Sequence, residues 1–235
     1  MAIDDNSSAS LSIDMHALLP SAGCGAVRRV PMVEPRSFHN RVQSVDTQLD
    51  NGTKVCLRRV SHSDRDLIEK GISEMSDESR YLRFFSGAKT MPPSVIERLA
   101  SVDGVLHLAW GMVNMEDDSR PAMAVAHVFR ETEDSDTGEF AIGVLDQYHG
   151  LGVARMVMTA MFLDSYCEGL RNLRIEVLHS NKKASGLMRA VGATQCALEG
   201  FVGQYNLVIA DAISALQKME SPKAIPDIVA AFAAD

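Results

Sequence analysis

Residues 137–160 hold the densest chemistry of the chain. Strand-forming residues Glu139, Phe140, Ala141, Ile142, Gly143 and Val144 end at Leu145-Asp146; then come Gln147, Tyr148, His149, Gly150, Leu151, Gly152, Val153 and Ala154; then Arg155 opens an apolar run. An apolar strand stops at an acidic turn, a glycine-rich corner follows, and a long apolar helix begins. A helix start presents unpaired backbone N–H groups and the positive end of its dipole, so such a corner suits an anion, phosphate above all. Glycines matter there because a Cβ would stand between backbone and phosphate. A Walker loop would need a Lys-Ser/Thr pair after its second glycine, where Val153 and Ala154 stand. The dinucleotide fingerprint GxGxxG would need glycine or alanine at 155, which is Arg155. Both are poor fits.

The elements that must hold this corner follow from pattern. Asp50-Asn51-Gly52 is a turn signal, and residues 54–60 alternate well enough for a first strand. Ser63-Asp64 begins a helix carrying Leu67, Ile68, Ile72 and Met75 on one face. A second helix starts at Ser76 and carries Tyr81, Leu82, Phe84 and Phe85; a third, over 94–100, follows Pro92-Pro93. Strands are expected over 105–113, 122–130 and 139–145, the first two joined by a charged turn at Glu116-Asp117-Asp118. The helix over 150–168 is apolar almost all round and should be buried. Residues 173–178 form an apolar strand broken by Arg174 and Glu176. Asn181 opens a helix that stops at Gly192, and two strands, near Gln195 and over 201–209, turn at Glu199-Gly200. A weakly helical tail, interrupted by Pro222 and Pro226, closes the chain. The order describes a mixed α+β layer rather than repeated βαβ units.

Composition narrows the function classes. The 235 residues carry a formal net charge of −8, which argues against general nucleic-acid binding. Cys24, Cys56, Cys167 and Cys196 are widely spaced, form no CxxC pair and are read as reduced, which implies a cytoplasmic protein. None is placed as a nucleophile, and no metal ligand set is expected. The polar, acidic N-terminus has no basic n-region or apolar h-region, and no apolar run suffices to span a bilayer. Residues 1–45 lack sustained periodicity and read as a flexible or loosely docked extension, with a short helix conceivable over 11–19. The main domain is expected over 46–210 and a helical tail over 211–235.

The order of elements around the corner resembles the GNAT superfamily of acyl-CoA-dependent N-acyltransferases. Its pattern Gln/Arg-x-x-Gly-x-Gly/Ala fits in two registers: Gln147 to Gly152, and His149 to Ala154 with His replacing Gln/Arg. The second keeps the four-residue spacer after Val144. Leu49 to Thr53 and Met75 to Phe85 are similar to the entry of a bacterial branch that includes protein-lysine acetyltransferases. The resemblance implies a mostly antiparallel sheet of six or seven strands, flanked by helices and splayed at the strand before the corner. It implies acetyl-CoA as co-substrate, with the pyrophosphate on the backbone of Gly150 to Arg155 and His149 able to hydrogen-bond a phosphate unless it is a plain surface histidine. The pantetheine arm would lie along Ile142, Gly143 and Val144, and Asn181 would contact it unless it serves only as a helix cap. Glu139 matches the general base of the protein-acetyltransferase branch, and Glu176 matches the base of another. A carboxylate beside the cleft suffices if burial raises its pKa. Many members place a tyrosine seven residues after the Asn, near the thioester sulfur; here that position is Met188, which cannot donate a proton. Tyr166 and Tyr205 read as core or edge residues. The acceptor implied is a protein lysine, then a small-molecule amine; a non-catalytic acyl-CoA-binding module is the alternative from another class.

Overall fold

The computed structural model describes residues 42–86 and 88–233, so the expectations for residues 1–41, including Cys24, lie outside the described part. One eight-stranded sheet runs through it in the order β1-β2-β3-β4-β5-β6-β8-β7. The strands are β1 (Ser44–Gln48), β2 (Lys54–Arg59), β3 (His107–Asn114), β4 (Ala122–Arg130), β5 (Thr137–Val144), β6 (Asn172–Leu178), β7 (Thr194–Glu199) and β8 (Val202–Val208). All neighbours pair antiparallel except β5 and β6, which are parallel. The mixed α+β class is as expected, but the sheet has one strand more than the six or seven anticipated. The extra strand is β1, whose five residues include a single apolar side chain, Val45, so its sequence carries almost no strand pattern.

Helices α1 (Arg65–Glu74), α2 (Asp77–Phe84) and α3 (Pro93–Ala100) precede β3; α4 (Val153–Cys167) joins β5 to β6; α5 (Lys182–Ala190), α6 (Ile209–Gln217) and α7 (Ile225–Ala233) follow. Ser76 caps α2 by accepting the N–H of Ser79 at 3.1 Å. β3 starts two residues later than the apolar run suggests, because Asp103 Oδ1 accepts the N–H groups of Val105, Leu106 and His107, each at 2.8 Å, and holds that segment as a turn.

The larger core lies on the α4 face of the sheet, where Trp110, Ala126, Val128 and Phe140 meet Met156, Phe162 and Leu163. Helix α4 is buried at Val153 and from Met156 to Tyr166, as its nearly all-round apolar sequence predicts. The C-terminal helices close this side, with Phe232 of α7 packing its ring 5.6 Å from that of Trp110. A smaller core under α1 and α3 gathers Ile68, Ile72, Ile96 and Leu99 against Ala109 and Val60 of the opposite face. The cleft opens on that second side.

Candidate active site

β5 and β6 pair over only three residues, Thr137 with Asn172, Gly138 with Leu173 and Glu139 with Arg174. Beyond Glu139 the strands part, while β5 continues to Val144 and β6 to Leu178. β4 covers one edge of β5 throughout, from Gly138 to Val144. The other edge, which includes the backbone of Ile142, Gly143 and Val144, has no partner strand past the fork among the described residues. Alternate N–H and C=O groups on that edge can pair with an extended polar ligand, as a strand would.

The glycine corner stands at the open end of the fork. Gly150 and Gly152 take the left-handed conformation at φ +80° and +82°, which delays the helix until Val153. A Cβ on Gly152 would also fall 2.7 Å from Cγ of Pro222, so the site is closed to larger residues twice over. No hydrogen bond among the described residues engages the N–H groups of Gly150 to Arg155, and helix geometry leaves the last four of these at the positive end of α4. These groups and the open edge of β5 fit the pyrophosphate and the amide-bearing arm of a CoA thioester.

Side chains at the corner serve the protein. Nε2 of His149 lies 3.0 Å from the carbonyl oxygen of Val144, so this imidazole braces the end of β5. Arg155 donates to the Ser221 carbonyl at 3.1 Å, and Ser221 in turn donates to Asp50 at 2.6 Å. Asn181 caps α5, its Oδ1 accepting from Ala184 at 3.0 Å, which leaves its NH₂ group for another partner. Asp146 was not singled out in the sequence, yet it ties the corner to α2. It accepts from Ser76 N at 3.0 Å, Ser76 Oγ at 2.9 Å and Ser79 Oγ at 2.7 Å. Burial opposes its ionisation, but these hydrogen bonds prevail and hold the carboxyl down at about 2. A lone acidic residue between a strand and a glycine corner gives no sequence signal that its partners lie 70 residues away.

Both candidate carboxylates reach the fork. Glu139 is the last paired residue of β5, and Glu176 lies two residues beyond its partner Arg174, so all three project from the same face. Burial, reinforced by the charge of Glu176, raises the pKa of Glu139 against the pull of Arg83, Arg98 and Arg174. Burial likewise raises Glu176, opposed by the hydrogen bond from Gln204 at 3.4 Å. Burial thus raises both carboxyls, and the charge of Glu176 disfavours ionisation of Glu139 further.

The floor of the cleft contains a histidine pair that the sequence reading passed over. Nδ1 of His107 lies 2.9 Å from the carbonyl oxygen of Ser101, and its Nε2 lies 2.9 Å from Nδ1 of His127. A carbonyl only accepts, so His107 donates from Nδ1 and accepts at Nε2 from His127. Nε2 of His127 is then a lone pair with no partner among the described residues, although the ring is fully buried. Burial first, then the charge of Arg83, holds this imidazole neutral.

Met188 is 2 % exposed and belongs to the larger core with α4. The phenols of Tyr205 and Tyr166 are buried as well, Tyr205 beneath Arg189 and Tyr166 beneath Arg171. Among the described cysteines, burial pushes the Cys56 and Cys167 thiols up to about 11, far from a reactive thiolate. No described helix is long and apolar enough to cross a membrane.

A forked β5–β6 pair, a glycine corner at its mouth and a buried helix behind it give the chain a GNAT-like fold. Among solved structures, the GNAT domain of S. lividans PAT superposes with a TM-score of 0.65 at 22% identity, covering 70% of this chain and 96% of that domain. By sequence, Acetyltransferase Pat of Mycolicibacterium smegmatis is 29% identical over 152 residues, which is 65% of this chain and 45% of the relative. Acetyltransferase PA5475 of Pseudomonas aeruginosa is 27% identical over 156 residues, 66% of this chain and 79% of the relative. The matched region thus spans less than half the length of Pat. No family model matches the chain.

Proposed function

We propose that the chain is an N-acetyltransferase that moves an acetyl group from acetyl-CoA directly to an amine, with a protein lysine as acceptor. The observation that carries this reading is the fork itself: a free β5 edge leads from the N–H cluster of the corner to a half-buried glutamate at the apex. Roughly 17 Å of strand, at ~3.3 Å per residue, separates Val144 from Glu139, a span suited to a pantetheine arm. In this reading the backbone of Gly150, Leu151, Gly152, Val153, Ala154 and Arg155 holds the pyrophosphate. His149 fixes the end of β5, Ile142 to Val144 pair with the arm, and Asn181 contacts it from the opposite side of the fork.

The acceptor enters as an ammonium and gives one proton to Glu139, directly or through one water. A carboxylate raised by burial is a better base for this than an exposed one. The neutral amine adds to the thioester carbonyl, forming the C–N bond; collapse then breaks the C–S bond. The leaving thiolate takes up the proton that the acylated nitrogen releases. Glu176 supports the step by opposing the charge on Glu139, and it is the second candidate for the base. The raised Cys56 and Cys167 thiols support direct transfer over a thiol-ester intermediate. The reading places the transferase in residues 46–210, with 1–45 as an extension and 211–235 as a helical tail, and the protein in the cytoplasm.

The test is acceptor-dependent thiol release from acetyl-CoA, with a lysine peptide and with a polyamine as acceptors. Lysine-specific release supports the proposal, and release with the polyamine alone replaces the protein acceptor by a small molecule. The burial of Met188, where a phenol would serve the sulfur, favours a second reading as an acyl-CoA-binding module. Tight CoA binding without thiol release to any amine would decide for that module.

A further inference from the structure

Helix α2 carries two arginines three residues apart that meet different fates. Arg80 is 4 % exposed and fully used, donating to the carbonyls of Ala88 and Met75 and pairing with Asp77. Arg83 makes no hydrogen bond and no ion pair among the described residues, although it is half-buried. Its stem runs over β5: Cγ and Cδ lie 3.9 Å from where a Cβ on Gly143 would stand. Its guanidinium carbon is 4.9 Å from the centre of the Phe84 ring. With Met75, Ile72, Val125, His127 and Gly143 it lines the cavity between α1, α2 and the sheet. It is within electrostatic reach of both Glu139 and His127. The nearest imidazole is neutral, Glu139 forms no ion pair with it, and Arg98 is turned onto Phe129 at 4.9 Å. Arg174 stands across the fork, opposite Glu139.

A guanidinium brought into an apolar cavity without an anion is costly, and burial pulls its pKa down to about 10. A carboxylate is the group whose geometry a guanidinium matches with two parallel hydrogen bonds. We infer that Arg83 is a specificity-determining residue that receives a carboxylate of the acyl acceptor, so that the acceptor presents an amine to Glu139 and an acid to Arg83. This rests on the acyltransfer reading and narrows its acceptor class. The acid comes from an acidic side chain flanking the target lysine or from the α-carboxylate of a free amino acid. An acceptor bearing only positive charge would meet Arg83 unfavourably.

Two matched sets of probes separate these sources. One set is blocked pentapeptides with a central lysine flanked by Glu or by Gln at each neighbouring position. The other is free amino acids and their carboxamides. kcat/KM is measured by thiol release for the native chain and for Arg83→Gln, Arg83→Lys and Arg83→Glu. The native chain is expected to prefer the acid over its amide by ~10-fold or more in one set, which names the source. Arg83→Gln should bring that ratio to within about twofold, Arg83→Lys should keep part of it, and Arg83→Glu should invert it, so that the amide is preferred over the acid. Each ratio is internal to one variant, so a general loss of folding or turnover leaves it readable. Release without discrimination in the native chain, or discrimination that survives Arg83→Gln, overturns the inference alone. No release with any probe overturns the acyltransfer reading with it.

Discussion

Two buried polar clusters, one on each side of the sheet, show how differently the fold treats its charges. On the α4 side Asp164, 1 % exposed, pairs with Arg59 and accepts Trp110 Nε1–H at 2.8 Å. Arg59 also donates to the Val42 carbonyl at 3.1 Å. Every partner is protein, and the cluster fixes β2 and β3 onto α4. On the cleft side, among the described residues, Arg83 has no ion-pair partner, Nε2 of His127 has no hydrogen-bond partner, and Glu139 and Glu176 oppose one another. Buried polar groups are ordinarily satisfied, and exceptions concentrate where a ligand is to be met. The first cluster acts as a staple, and under the proposed acyltransfer reading the second serves the chemistry, a distinction that burial alone does not make.

The sharpest way to break the contrast is to damage each cluster in turn. Asp164→Ala leaves a guanidinium and an indole N–H without their acceptor and should destabilise the chain by about 4 kcal/mol. Chemical denaturation measures it, and a loss under about 1 kcal/mol would show that the staple is not one. Glu139→Gln should do the reverse, cutting turnover ~100-fold or more with little change in unfolding midpoint or acetyl-CoA affinity. An unchanged rate would move the base to Glu176.

The corner offers a third, intermediate test. Gly152→Ala places a Cβ against Pro222 at a positive φ, so the N–H cluster must shift. CoA affinity should fall about tenfold in calorimetry, while Gly186→Ala, in open space on α5, should not change it.

The smallest effect is in pH. Burial holds His107 and His127 below the ordinary 6.5, so below that pH the unfolded chain binds more protons than the folded one. Their contribution is complete above pH 6.5 and is lost as pH falls toward the folded values. Asp164 acts oppositely: raised from 3.8 to about 6, it binds its proton more readily in the fold and loses stability as pH rises through that window. Denaturation of the native chain and of His127→Leu separates the two, since the variant should lose stability less steeply as pH drops below 6.5. Identical slopes would assign the protons elsewhere.

Much of this architecture is legible in local pattern. The apolar run of α4, the Ser76 cap, the Asp50 to Gly52 turn and the glycines of the corner each state a backbone preference that no distant contact overrides. The class of sheet follows from those residues in order. What pattern does not reveal is pairing over distance. β1 has one apolar residue and exists because β2 offers it an edge. Asp146 is a turn aspartate until Ser76 and Ser79 arrive, and Arg80 and Arg83 are alike until the loop at Ala88 engages one and the cleft holds the other. A mixed sheet with a glycine corner before a buried helix follows from steric and periodic preferences that are local to the chain. Which carboxylates, arginines and histidines find partners is settled by packing, because those partners come together from distant parts of the sequence.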